Sequence, residues 1–109
     1  MPDAPAYPMP RVQFLSFEGC PLAAETRNVL EQALKHVGRQ PDDFLEIDVL
    51  DPATPPELAR WGSPTILVNG LDVAGHEGGD APGCRVYDTP DRLPRLEVVV
   101  HGLLHNGCQ

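Results

Sequence analysis

The apolar run Val12-Gln13-Phe14-Leu15-Ser16-Phe17 breaks at Gly19-Cys20-Pro21 and gives way at once to a stretch of helical period. That junction constrains the fold more than any other feature. The run is short, rich in β-favouring residues and apolar at nearly every position, as a strand buried on both faces must be. Beyond it, Leu22, Thr26, Val29, Leu30, Ala33, Leu34 and Val37 recur along one helical face. Pro21 suits the first helical position, where its missing N–H costs nothing. Glu31 and Lys35 form an i, i+4 pair on the opposite side, and Gly38 supplies the left-handed stop. Phe44 to Leu50 then alternates apolar and acidic residues, the pattern of a strand with one wetter face. Strand, helix and strand make a right-handed βαβ unit, so the two strands are expected to be parallel.

The rest of the chain adds a hairpin and a closing helix. Asp51 to Pro56 is a proline-rich break before a short helical piece around Glu57 to Trp61. Thr65-Ile66-Leu67-Val68 and Leu71-Asp72-Val73 flank Asn69-Gly70, a dipeptide suited to a two-residue turn with positive φ at both positions. Residues 75–83, rich in Gly, Asp and Pro, read as a loop. Leu96, Val99, Val100, Leu103 and Leu104 have helical spacing, and this outweighs the strand preference of three successive valines. The expected order is β-α-β-(α)-β-β-α around a mixed four-stranded sheet, an α/β architecture with helices on both faces. Residues 1–10, with prolines at 2, 5, 8 and 10, read as a disordered arm, and 11–107 as one domain.

Sixteen acidic against eight basic side chains leave a net charge of −8, which argues against nucleic acid and anionic membrane as partners. No apolar stretch approaches the ~20 residues of a membrane-spanning helix. The N-terminus has no apolar signal core, so a cytoplasmic location is expected. The three cysteines, Cys20, Cys84 and Cys108, are too few and too scattered for a secreted disulfide framework. They include no Cys-x-x-Cys pair for a zinc knuckle. No glycine-rich phosphate loop implies a nucleotide cofactor.

Two segments carry a resemblance. Phe17-Glu18-Gly19-Cys20-Pro21-Leu22-Ala23 looks like a Cys-Pro-x-x active-site turn, and Gly62-Ser63-Pro64-Thr65-Ile66 looks like a Pro-Thr segment entering a strand. Together, on these elements, they resemble the thioredoxin superfamily in its compact, glutaredoxin-sized form, over residues 11 to about 106. The resemblance implies a three-layer sandwich with Cys20 as the nucleophilic thiol beside a cis proline at Pro64. Frequency alone would make that bond trans, since only ~5–6% of X-Pro bonds in folded proteins are cis. It also implies that Pro21, Ser63, Pro64 and Thr65 contact substrate, with a substrate backbone pairing at Ser63.

The physics of Cys20 stands beside the resemblance. A thiol reacts as its thiolate, which the amides and dipole of a helix N-terminus favour. Glu18 opposes that by like charge, and Arg27 lies nearly two turns along the helix. Against this stands the buried apolar filler that free cysteines often are. Ala23 replaces the second cysteine of a dithiol motif, so Cys20 cannot close a local disulfide. It is left with monothiol exchange, resolution by a distant cysteine, or no redox role. Cys84 is the distant candidate, and the resemblance places its segment near the active-site turn, where glutathione is contacted as co-substrate. Arg85 beside it could pair with a substrate carboxylate. No resident cofactor is implied.

The partner is then a disulfide-bearing protein or a low-molecular-weight thiol. The alternatives are a non-enzymatic binding module, or a soft-metal, mercury-related thiol protein using Cys20 and Cys84, with His76 as a third ligand in that reading and a solvated loop residue otherwise. His101 and His105 read as an exposed edge, His36 as a partner of its own helix C-terminus, and Cys108 as a mobile terminal thiol. The acidic run Asp42, Asp43, Glu46, Asp48 and Asp51 reads as solvated surface, and Trp61 as packing.

Overall fold

The first strand forms where the apolar run predicts it. In a computed structural model that describes residues 11–75, 87 and 89–105, β1 spans Val12–Ser16 and is buried at every position. It pairs in parallel with β2, Leu45–Asp48, in the register Gln13↔Leu45 to Ser16↔Asp48. On its other side it pairs antiparallel with β3, Thr65–Val68, from Val12↔Val68 to Leu15↔Thr65. Antiparallel β4, Leu71–Asp72, completes a mixed sheet of order β2-β1-β3-β4. The three helices are α1, Ala23–His36, α2, Pro56–Ala59, and α3, Leu96–His105. The fold is therefore α/β, with the element order read from the sequence.

Side-chain parity divides the core. Val12 and Phe14 of β1 join Ile66 and Val68 of β3 beneath Leu30, Ala33 and Leu34 of α1 and Val99 and Leu103 of α3. Leu15 and Leu67 point to the opposite face, where Val49 and Trp61 cover them with help from Leu58 of α2. Burying each large side chain contributes about 1.5–3 kcal/mol, so the first face carries most of the stabilisation. Leu96 and Leu104, expected on the buried stripe of α3, are exposed, because the core takes up Val99, Gly102 and Leu103, with Val100 half-buried beside them.

Local chemistry sets the joins. At the end of α1, Arg39 N–H donates to the Leu34 carbonyl and Gly38 N–H to that of Lys35, a Schellman closure that needs the positive φ (85°) of Gly38. The β3–β4 turn has φ of 52° at Asn69 and 83° at Gly70, as its dipeptide predicts. Asn69 also accepts from Arg11 N–H through Oδ1 and donates from its own N–H to the Arg11 carbonyl, both at 2.8 Å, so the hairpin clasps the start of β1. Gly102 lets α3 stand close to the end of the hairpin: a Cβ there would lie 2.6 Å from Val73 Cγ1.

Three local expectations are corrected. The second strand is shorter than Phe44–Leu50. Glu31 and Lys35 are not among the ion pairs of the described residues, which are Arg27–Glu46 and Arg39–Asp43. An exposed i, i+4 pair gains only a few tenths of a kcal/mol, too little to fix two long side chains. Pro21 does not begin α1, which starts at Ala23. The arm expected over 1–10, the loop expected over 75–83 except Gly75, and His76, Cys84, Arg85 and Cys108 lie outside the described residues.

Candidate functional site

The chain leaves β1 at Ser16 and turns twice before α1 starts. Cys20 N–H donates to the Phe17 carbonyl at 3.2 Å, and Ala23 N–H donates to the Cys20 carbonyl at 3.3 Å. Pro21 therefore lies inside a turn and is not the first helical residue. Its fixed φ suits the second position of a β-turn as well as it suits a helix start. The first helical bond runs from Thr26 N–H to the Leu22 carbonyl, and Leu22 at the N-cap offers no side-chain acceptor. Cys20 thus stands two residues ahead of the N-cap. The first-turn amides lack a side-chain cap, yet the helix dipole, which fades within a turn, acts on Cys20 from farther away than the sequence implies.

Cys20 is a free thiol with 9% of its surface exposed. It lines a cleft of about 420 Å³ beyond the carboxyl ends of β1 and β2, together with Ser16, Glu18, Arg27, Glu46 and Asp48. The register explains the company. Phe14↔Glu46 and Ser16↔Asp48 place both β2 carboxylates on the α1 side of the sheet. Arg27 descends from α1 to pair with Glu46 and passes 5.2 Å from the centre of the Phe14 ring. Arg27 is therefore in the same cleft as Cys20, within the reach the sequence left in doubt.

The acidic run is likewise not uniformly solvated surface. Glu46 and Asp48 wall the cleft, and Asp43 accepts from Arg39 Nε at 2.8 Å. Asp48 also anchors the turn after β2, accepting from Leu50 N–H through Oδ1 at 2.9 Å. Among the described residues the cleft is acidic, with Glu18, Glu46 and Asp48 facing one guanidinium that Glu46 already engages.

Ser63, Pro64 and Thr65 enter β3 beside the end of β1, since Thr65 is the register partner of Leu15. The Ser63–Pro64 peptide bond is cis, and all three residues are buried. They sit at the same end of the sheet as Cys20 but do not line its cleft. Ser63 Oγ is buried without a hydrogen-bond partner. The Pro64 carbonyl accepts from the hydroxyl of buried Tyr87 at 3.0 Å. Among the described residues, no group of three or more His, Cys, Asp or Glu side chains is placed to hold a metal ion. No helix there is long and apolar enough to cross a membrane. His101 and His105 are exposed, with ring centres 4.3 Å apart.

The sequence reading overlooked Tyr87 and the grouping of Arg27, Glu46 and Asp48. The latter had a signal. In a right-handed βαβ unit the helix covers one face of the strand pair, so alternate residues of β2 and a helical arginine share that face. Tyr87 had none, because its partner is a backbone carbonyl distant in sequence. No family model, curated protein or solved structure matches the chain.

Proposed function

We propose that the chain is a thioredoxin-like protein of compact glutaredoxin size in which Cys20 performs monothiol exchange with disulfides. The observation that carries this reading is the thiol of Cys20 on a cleft beyond the carboxyl ends of the parallel strands, where open α/β sheets bind ligands. The element order and the sheet order β2-β1-β3-β4 support it.

In the proposed reaction the Cys20 thiolate attacks one sulfur of a substrate disulfide. The S–S bond breaks, a Cys20 mixed disulfide forms, and the departing thiolate takes up a proton. With Ala23 in place of a second thiol, an external thiol of the glutathione class attacks that mixed disulfide and restores Cys20. The exchange conserves electrons, and the external thiol is the reductant. Arg27, which lines the same cleft, is available to a substrate carboxylate once it is free of Glu46. Such chemistry suits a reducing compartment such as the cytoplasm.

The test is exchange with glutathione disulfide in the Cys84→Ser/Cys108→Ser chain, followed by mass spectrometry. Formation of one glutathione adduct on Cys20, faster than on a free-cysteine peptide, is the expected result. A rate at or below that of the peptide removes the reading. The near-burial of Cys20 among carboxylates favours a second reading, a binding module that has lost turnover. There, Cys20→Ser would leave capture of a protein partner unchanged, whereas an exchange enzyme would lose its mixed-disulfide complexes.

A further inference from the structure

On the opposite face of the sheet, at the other end of β1, Gln13 occupies a position whose parity belongs to the core. It shares its face with Leu15 and lies opposite Leu67, both fully buried. Gln13 itself is 7% exposed, yet its side-chain amide has no hydrogen-bond partner among the described residues. A leucine there would match its neighbours, whereas the glutamine keeps its amide atoms in touch with solvent. The amide borders an opening of about 410 Å³, with Leu58 and Leu67 as apolar wall and Arg11, Arg60 and Trp61 at its sides. That volume lies in the range of about 300–1,000 Å³ typical of small-molecule sites.

The charge around this opening runs against the chain. Arg11 and Arg60 outnumber Glu57 on its walls, although the whole molecule carries −8. Neither guanidinium takes part in an ion pair among the described residues. Arg60 leaves the end of α2 and lies 5.1 Å from the centre of the Trp61 ring, while the backbone of Arg11 is held on both sides by Asn69. Two forked cations, one of them stacked on the Trp61 ring, and an amide that pairs with nothing in the fold are the components of a pocket for a polar, planar anion.

We propose that this opening binds a small organic anion carrying an amide-like edge. The edge pairs with the Gln13 amide, which both donates and accepts, and the anionic group meets Arg11 and Arg60. The site is independent of Cys20.

Trp61, the only tryptophan of the chain, reports on it directly. Its fluorescence is titrated in the full chain with hippurate, which joins an amide to a carboxylate, and separately with inorganic phosphate and with neutral benzamide. Hippurate is expected to give a saturable change with a dissociation constant of about 1 mM or below, tighter than either of the other probes by about tenfold.

Arg11→Met should weaken hippurate about tenfold. Gln13→Leu should weaken it at least as much without lowering the melting temperature, since the amide pairs with nothing in the fold and leucine matches Leu15 and Leu67 on that face. No saturable response to any probe overturns the proposal, as does undiminished binding by either variant. A melting temperature lowered by Gln13→Leu assigns the amide a structural role and also overturns it. Phosphate binding as tightly as hippurate removes the amide-reading part. If Gln13→Leu fails to fold, the surface variant Arg11→Met decides alone.

Discussion

The two faces of the sheet are built differently. One lies under a fourteen-residue and a ten-residue helix, whose buried residues interlock with Val12, Phe14, Ile66 and Val68. The other is roofed by a four-residue helix and the turns beside it, which cover Leu15 and Leu67 but leave Leu45 at 58% exposure and an opening over Gln13. The difference teaches where this chain keeps its stability and where it has room for chemistry. The thin layer leaves the polar end of Gln13 within reach of solvent, whereas the thick one closes over its residues, Thr26 included. The Cys20 cleft obeys the same rule, because it opens where α1 has only just begun and the thick layer thins out.

The largest effect expected from this contrast is on stability. Leu34→Ala on the thick face should cost about 2–5 kcal/mol in urea denaturation, the range for a fully buried leucine. Leu58→Ala, half-buried on the thin face, should cost less than about 2 kcal/mol. Equal losses would break the comparison. Next comes Gly102→Ala, which forces a methyl group against Val73. Overpacking costs about 1–3 kcal/mol, and the gain in helix propensity returns at most about 1 kcal/mol. Val73→Ala in the same chain should recover most of that loss, and a simple sum of the two losses would refute close packing there.

Smaller effects concern the charged margins. Glu46→Gln releases Arg27 and removes one carboxylate from the cleft, so alkylation of Cys20 at neutral pH should accelerate a few-fold, in keeping with an exposed pair worth about 1 kcal/mol or less. A slower reaction would show that the pair positions the cleft and does not oppose the thiolate.

Smallest is the turn before α3. The Leu93 N–H, and after it the Thr89 hydroxyl, hold the Asp91 carboxyl below its ordinary range. A depressed carboxyl stabilises the fold above its unfolded value near 3.8 and stops doing so as pH falls through the folded value. Asp91→Ala should therefore lower the melting temperature slightly at pH 7, and the gap to the unaltered chain should close in acid. A gap that persists in acid would mean that the turn does not depend on the charge.

Elements were legible wherever a local rule governs them. The period of α1, the stop at Gly38 and the Asn69-Gly70 turn each follow from a few neighbouring residues, and strand β3 was read with its observed limits. The start of α1 was misread because proline serves a turn and a helix start equally. The burial of Leu96 and Leu104 was overestimated because periodicity identifies a stripe without showing how wide a surface it meets. At the candidate site, Cys20 was identifiable by residue type and position, whereas the cis bond at Pro64 was expected only from the resemblance, since frequency alone favours trans. The pairing of Arg27 with Glu46 depends on the register of two strands separated by a helix, and the opening over Gln13 depends on how short α2 is. Both are properties of assembly, which no single segment encodes.

The bond from Tyr87 to Pro64 has a mechanical consequence. Proline brings an acceptor to the head of β3 but no amide hydrogen, and the donor that satisfies this acceptor comes from 23 positions further along the chain. The residues leading into the last helix therefore act as a strap over that end of an inner strand. Lifting the strap strands a desolvated carbonyl, so loosening at the head of β3 and release of the segment ahead of α3 become one cooperative event, not two independent fluctuations.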